Sequence, residues 1–125
     1  MNDQLDENHK PSALVIEDDP QLVTIFATAM EIAGYAVQTA ADGRIALEKL
    51  QTLAPDVILL DIHLPYVSGD ELLRHIRADE RLQESVVILS TADSRIAAQL
   101  REETNLILLK PIRFNELVEL AQSLI

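Results

Sequence analysis

The chain has 125 residues, which is enough for one ordinary domain and too few for a second core. Forty-eight per cent of the residues are apolar and 25 per cent are charged, a composition that excludes a disordered chain. Twenty-one acidic residues against ten basic ones give a formal net charge of −11, which repels nucleic acid phosphates and anionic lipid surfaces. We therefore expect this domain to bind neither nucleic acid nor membrane directly.

The sequence contains no cysteine, so a disulfide framework and a thiolate metal site are both excluded. The first residues, MNDQLDENHK, lack the basic and apolar regions of a secretory signal, and no aliphatic run is long enough to span a bilayer. These features predict a cytoplasmic protein. Residues 1–11 are polar and follow no helical or strand period, so we predict a flexible acidic tail before a folded domain at residues 12–125.

The rest of the chain alternates between short aliphatic runs and helical patterns. The first run, Ala13–Ile16, predicts a buried strand, and Asp19 before Pro20 predicts the start of a helix that ends at Gly34. The elements then predicted in order are a strand at Tyr35–Thr39, a helix from about Gly43 that includes Leu53, a strand at Val57–Leu60, a helix after the loop His63–Gly69, a strand at Val86–Leu89, a weaker helix at Ser94–Glu103, a strand at Leu106–Leu109 and a last helix that includes Ile125. Five strand–helix repeats predict an α/β fold with a parallel sheet covered by helices on both faces.

Polar residues follow four of these predicted strands, at the edge where open parallel sheets bind their ligands. They are Glu17, Asp18, Asp19, Asp61, Thr91 and Lys110. Clustered carboxylates repel one another, and Mg²⁺ relieves that repulsion by binding carboxylate oxygens, retained waters and phosphate oxygens. With a lysine charge and a threonine hydroxyl beside them, the residues predict a site that transfers a phosphoryl group to a carboxylate.

Each of these residues also has an ordinary structural interpretation. Asp19 before Pro20 is more readily an N-cap than a metal ligand. Taken singly, Glu17 and Asp18 would be solvated acids at a strand end, and Asp61 would be a carboxylate bonded to loop donors. Thr91 would be a loop or cap residue, and Lys110 a surface charge. Their convergence on one predicted edge favours the functional interpretation.

Four ordered motifs resemble the receiver domain of bacterial two-component response regulators. They are ALVIEDDP at Ala13–Pro20, VILLDIHLP at Val57–Pro65 followed by Gly69, VILSTA at Val87–Ala92, and LKP at Leu109–Pro111. The resemblance covers nearly the whole chain from Ala13 to Ile125. It implies a flavodoxin-like five-stranded sheet with strand order 2-1-3-4-5.

The resemblance also implies a set of Mg²⁺ ligands. Asp18 and Asp61 would bind the metal directly, and Glu17 would hold it through water. The backbone carbonyl of His63 would complete the protein ligands.

For the phosphoryl group, the resemblance implies that Asp61 is the acceptor. Thr91 would donate a hydrogen bond to the group, and Lys110 would pair with it. The Lys110–Pro111 peptide bond would be cis, a form that only X-Pro bonds adopt at low cost. The side chains of His63 and Asp93 would tune the lifetime of the phosphoryl group.

Two features depart from the family's pattern. The segment between Thr91 and Lys110 is shorter than usual by most of a helical turn, and Ile107 stands where the family usually has an aromatic residue. We therefore predict that the signal leaves through the fourth helix, fifth strand and fifth helix without the usual movement of an aromatic ring. The weakly apolar segment Ser94–Glu103 is the predicted mobile element.

The function that the resemblance implies is a phosphorylation switch with only self-directed phosphotransfer and autodephosphorylation chemistry, and so not an enzyme. A sensor histidine kinase or a phosphotransfer protein would donate to Asp61, and the changed surface would bind a downstream protein. The face formed by the fourth helix, fifth strand and fifth helix is a candidate homodimer surface. No output domain follows the last predicted helix in this sequence, so we expect output by protein contact unless an effector domain lies outside it.

Two other functions stay open from the residues alone. A haloacid dehalogenase-like phosphatase also uses an aspartyl phosphate, Mg²⁺, Thr and Lys, but it requires a second acid two residues after the nucleophile, where this chain has His63. A receiver-like interaction module that is never phosphorylated would not need the acids, Thr91 and Lys110 together.

Overall fold

The computed structural model describes residues 10–125, so residues 1–9 of the tail predicted at residues 1–11 lie outside the described residues. Five parallel strands form one sheet: β1 (Ser12–Ile16), β2 (Ala36–Ala40), β3 (Val57–Asp61), β4 (Val86–Thr91) and β5 (Leu106–Leu109). Their order across the sheet is β2-β1-β3-β4-β5. The predicted α/β fold and strand order are confirmed.

Five helices connect and follow the strands: α1 (Pro20–Ala33), α2 (Gly43–Leu50), α3 (Gly69–Ala78), α4 (Ser94–Gln99) and α5 (Phe114–Ser123). Helices α1 and α5 cover one face of the sheet, where the core includes Phe26, Met30 and Leu117. Helices α2 and α3 cover the other face, where it includes Leu50 and Leu73. Because both faces are covered, the strands β1, β3, β4 and β5 are mainly aliphatic, as is typical of parallel sheets, whereas the edge strand β2 contains Gln38 and Thr39.

Helices α2 and α5 end earlier than their apolar spacing predicts. Leu53 lies beyond the end of α2 at Leu50, and Ile125 lies beyond the end of α5 at Ser123. Bonds between residues three apart appear at both ends, such as the one from the Ile125 N–H to the Gln122 carbonyl, although the Leu53 N–H still donates to the Lys49 carbonyl four residues back. Apolar spacing predicts which residues pack, and these two side chains lie beyond the last helical turn.

Strands β2 and β4 also differ from their predicted bounds. β2 begins and ends one residue later than predicted, and β4 continues through Ser90 and Thr91. The polar pair ended the aliphatic run in the sequence, but the backbone of β4 stays paired with β3 to Asp61 and with β5 to Leu109. Thr91 and Asp61 are therefore the last residues of their strands, where the sequence analysis placed them just after.

The predicted helix Ser94–Glu103 consists of the six-residue helix α4 and a separate 3₁₀ turn at Arg101–Glu103. Within this segment only Ala97 is a buried apolar residue, which agrees with the predicted weak apolar packing. Polar contacts hold its far end, however. Arg77 of α3 donates to the Glu103 carbonyl at 2.8 Å and to Asn105 Oδ1 at 2.9 Å, and that same oxygen accepts from the Val87 N–H of β4 at 2.7 Å.

Candidate functional site

Three carboxylates meet at the carboxyl edge of the sheet. Glu17 and Asp18 follow β1, Asp61 ends the neighbouring strand β3, and the pairing of Ile16 with Leu60 brings these strand ends side by side. One oxygen of each carboxylate lies within 4.8 Å of the other two. Glu17 and Asp61 are buried and Asp18 is exposed, so the cluster opens towards solvent on one side.

Lys110 supplies the positive charge of this cluster. Its Nζ lies 2.8 Å from Glu17 Oε1 and 3.5 Å from Asp61 Oδ1. Because β4 lies between β3 and β5, the lysine side chain crosses the end of β4 to reach both carboxylates. Its backbone N–H donates to the Thr91 carbonyl at 2.9 Å, and the bond to Pro111 is cis, as the resemblance implied.

Burial raises the pKa of two of the carboxyl groups, Glu17 and Asp61. Burial raises the pKa of the Glu17 carboxyl, although the hydrogen bonds from Lys110 and from the Asp19 N–H oppose the shift. Burial also raises the pKa of Asp61 against the attraction of Lys110. For Lys110, burial acts to lower the pKa, but its contacts with the two carboxylates outweigh that effect, so its pKa is raised and it stays charged.

The two oxygens of Asp61 differ in their surroundings. Oδ1 accepts the Ile62 N–H at 2.9 Å and is the oxygen near Lys110. Among the described residues, no hydrogen bond reaches Oδ2. The start of α3 packs directly against the backbone of Asp61 and Ile62, and this close approach requires glycine at position 69 because a Cβ there would collide with that backbone. A buried carboxylate with one oxygen held and the other free has the form of a positioned nucleophile.

Thr91 is brought to this edge, but its hydroxyl points to a different partner. The Thr91 side chain is fully buried, and its Oγ1 accepts the Asp93 N–H at 3.1 Å. Asp93 in turn caps α4 by accepting the N–H groups of Arg95 and Ile96. The predicted role of Thr91 towards a phosphoryl group stays a prediction.

His63 and Asp19 also border the acidic cluster. Both line an open cleft of about 900 Å³ together with the three carboxylates and Lys110. Asp19 is the N-cap of α1, because its Oδ1 accepts the N–H groups of Gln21 at 2.9 Å and Leu22 at 3.2 Å. The interpretation of Asp19 as an N-cap is therefore confirmed. The cleft itself leaves room for a phosphate-sized group beside Asp61.

The sequence of residues 13–122 matches the response regulator receiver domain model. The chain belongs to this family. As a receiver domain it is a signalling domain of two-component systems, and its family implies signalling by phosphoryl acceptance. The resemblance stated from the four motifs is confirmed.

Curated relatives of this receiver domain include regulators of transcription. It is 38% identical over 86 residues to the DNA-binding dual master transcriptional regulator RpaA of Synechocystis, covering 69% of this chain and 36% of the relative. It is also 38% identical over 80 residues to the alkaline phosphatase synthesis transcriptional regulatory protein PhoP of Bacillus subtilis, covering 64% and 33%. The chain thus spans about a third of the length of these two relatives.

Solved structures share the fold over almost their whole length. The chemotaxis response regulator CheY4 of Vibrio cholerae is 25% identical, with a TM-score of 0.85 over 94% of this chain and 100% of that one. The receiver domain of the sensor histidine kinase PA1611 from Pseudomonas aeruginosa PAO1 is 30% identical, with a TM-score of 0.82 over 92% and 97%. The description of the PA1611 structure reports a magnesium ion coordinated in its active site cleft.

Two further observations concern membrane-spanning helices and one more residue at the site. No helix within residues 10–125 is long and apolar enough to cross a membrane. At the site, the sequence analysis missed Ser90, which pairs with Asp61 across β3 and β4. Only the strand register could have identified it, because a polar residue after an aliphatic run gives no sign of its neighbours across the sheet.

Proposed function

We propose that this receiver domain is a phosphorylation switch in which Asp61 accepts the phosphoryl group. The observation that carries the proposal is the asymmetric carboxylate of Asp61, with Oδ1 held by Ile62 and near Lys110 while Oδ2 is free of donors among the described residues. Oδ2 attacks the phosphorus of a phosphohistidine on a sensor histidine kinase or phosphotransfer protein. The P–N bond breaks, and its electron pair returns to the imidazole ring.

The charges around Asp61 fit a group that gains phosphoryl oxygens. Lys110 already carries its positive charge at this edge, and its ammonium pairs with a phosphoryl oxygen. The Thr91 Oγ1 accepts a hydrogen bond at present, so its own proton is available to donate to that oxygen. Both residues hold the phosphoryl group from the β4 and β5 side.

The chemistry of the three carboxylates fits Mg²⁺, which prefers oxygen ligands. Asp18 and Asp61 would ligate the metal directly, Glu17 would hold it through water, and the backbone carbonyl of His63 would complete the set. When bound, Mg²⁺ neutralises the negative charge that gathers at the phosphoryl oxygens. The magnesium ion in the PA1611 receiver domain supports this assignment.

Downstream, the phosphorylated surface binds a second protein. A homodimer through α4, β5 and α5 is a candidate, because Leu109 and Phe114 expose apolar surface there. The phosphatase alternative is weaker, because His63 replaces the second acid that it requires. The unphosphorylated interaction module is weaker because the buried acids and Lys110 would serve no purpose in it.

Incubation with Mg²⁺ and acetyl phosphate, followed by intact mass measurement, tests the proposal. We expect a mass gain of one phosphoryl group that is lost on mild alkaline treatment, as acyl phosphates are. Asp61→Asn abolishes the gain, whereas the control Asp70→Asn, on α3 at the same end of the sheet, retains it. A labile adduct in Asp61→Asn contradicts the acceptor assignment, and rapid turnover of phosphoesters favours the phosphatase.

A further inference from the structure

Ser90 is a buried hydroxyl without a hydrogen-bond partner. It is 1% exposed, and within residues 10–125 its Oγ is the one buried side-chain polar atom that no donor or acceptor satisfies. Leaving a buried hydroxyl unpaired costs free energy, so each such group in a native protein calls for an explanation. An apolar residue would fill this β4 position at lower cost, as Ile88 does two residues earlier on the same strand.

The position of Ser90 indicates what its hydroxyl is for. Ser90 is in register with Asp61 on the neighbouring strand, and paired residues of parallel strands point to the same face of the sheet. Thr91 is the next residue along the strand and points to the opposite face, so the two hydroxyls lie on different faces of the sheet. Lys110, whose side chain crosses the end of β4, lies close to Asp61 Oδ1 at present.

We propose that Ser90 donates a hydrogen bond to Asp61 Oδ1 once the carboxylate is phosphorylated. The inference rests on the proposed function. In the unphosphorylated protein Oδ1 is served by Ile62 and Lys110. After transfer to Oδ2, Lys110 follows the new negative charge to the phosphoryl oxygens, and Oδ1 becomes the carbonyl oxygen of an acyl phosphate. The Ser90 hydroxyl then takes the place of the lysine.

This hydrogen bond accelerates loss of the phosphoryl group. Water attacks the phosphorus, the P–Oδ2 bond breaks, and its electron pair returns to Asp61 while the proton of the water leaves with phosphate or to solvent. The regenerated carboxylate spreads its charge over both oxygens, so a donor at Oδ1 stabilises the leaving group as that charge develops. Ser90 therefore shortens the lifetime of the phosphorylated state.

The experiment measures the half-life of the phosphorylated protein after removal of acetyl phosphate, by intact mass, in variants that differ at one buried serine. Ser90→Ala removes the hydroxyl, and Ser90→Thr keeps it on a side chain suited to a strand. Ser85→Ala is the matched control, because Ser85 is also buried but lies before the other end of β4 and donates to the Pro55 carbonyl at 2.6 Å.

We expect Ser90→Ala to lengthen the half-life about three- to tenfold, the scale of one neutral hydrogen bond. Ser90→Thr should restore a half-life within about twofold of the parent value, and Ser85→Ala should leave it unchanged. A parent protein that forms no adduct overturns the proposed function and this inference with it. An adduct whose half-life is the same in Ser90→Ala overturns the role of Ser90 alone. A lower free energy of unfolding of the unphosphorylated variant also overturns it, because the hydroxyl would then already have a partner.

Discussion

Replacing Lys110 with methionine tests how far one ammonium offsets the acidic cluster. Met keeps the unbranched shape of the lysine stem but removes the only positive charge within contact of Glu17 and Asp61 in the part of the chain that the structure describes. Two unit charges about 5 Å apart repel by roughly 3 kcal/mol at an effective dielectric of about 20. The variant leaves three such charges together, two of them buried.

We expect the free energy of unfolding of Lys110→Met to fall by about 2 to 3 kcal/mol at neutral pH. Removing one partner of a fully buried ion pair typically costs about 3 to 5 kcal/mol, and the partial exposure of Lys110 reduces that cost. For a domain of this size the loss lowers Tm by roughly 8 to 12 °C. Urea titrations and thermal scans measure it, with Lys49→Met as control, because within residues 10–125 the Lys49 ammonium bonds only the Thr39 carbonyl.

The loss of unfolding free energy in Lys110→Met should grow as pH rises. Because burial raises the pKa of Glu17 and Asp61, the folded protein holds these protons more tightly than the unfolded chain does. Their contribution is most favourable below the ordinary carboxyl pKa and is lost as pH rises through the raised one. Lys110→Met enlarges this effect, so its stability should approach that of the parent near about pH 4 and recover with Mg²⁺ at neutral pH. Equal stability of the two proteins at neutral pH would refute the electrostatic argument.

Three further predictions concern the metal and the route of the signal. Asp18→Asn should abolish Mg²⁺ binding in calorimetric titration while stabilising the metal-free fold, because it relieves repulsion; an unchanged titration means that another acid binds the metal. Arg77→Met should speed hydrogen exchange at residues 92–105 without changing the rate of phosphorylation, because it removes the two donors that hold the end of this segment. Thr91→Ala should suppress phosphorylation-dependent chemical-shift changes at residues 92–105, whereas Ile107→Val should leave them intact; shifts confined to the loop after β3 would place the output there instead.

The fold could be predicted from the sequence because four of the five strands, β1, β3, β4 and β5, are compact and mainly aliphatic and lie between clear helix signals. Val57–Leu60 is buried on both faces of the sheet, so its composition alone indicates a central strand. The acids and Lys110 could be assigned to one edge because parallel strands all end at the same side. That the ammonium lies closer to Glu17 than to Asp61 depends on side-chain lengths across three strands, which no local pattern encodes.

Features that depend on contacts between distant residues were not predicted. The bond between Arg77 and Asn105 joins residues 28 positions apart, and each looks like an ordinary surface residue in the sequence. Ser90 seemed to end a strand that in fact continues through it, because polarity along the chain conceals pairing across the sheet. Such contacts join residues that are distant in the sequence, so they follow from the tertiary structure and from no local pattern.

A chain of hydrogen bonds connects Thr91, at the edge of the sheet, to the first turn of α4. The Thr91 hydroxyl holds the Asp93 N–H, and the Asp93 carboxylate holds the first turn of α4 through the N–H groups of Arg95 and Ile96. These links stand in series, so we expect a displacement of the hydroxyl to move the start of this short helix, which has little apolar packing to hold it in place. In such a receiver domain, a change at the carboxyl edge of the sheet can reach α4 through hydrogen bonds to backbone N–H groups. No aromatic side chain has to change its burial for this.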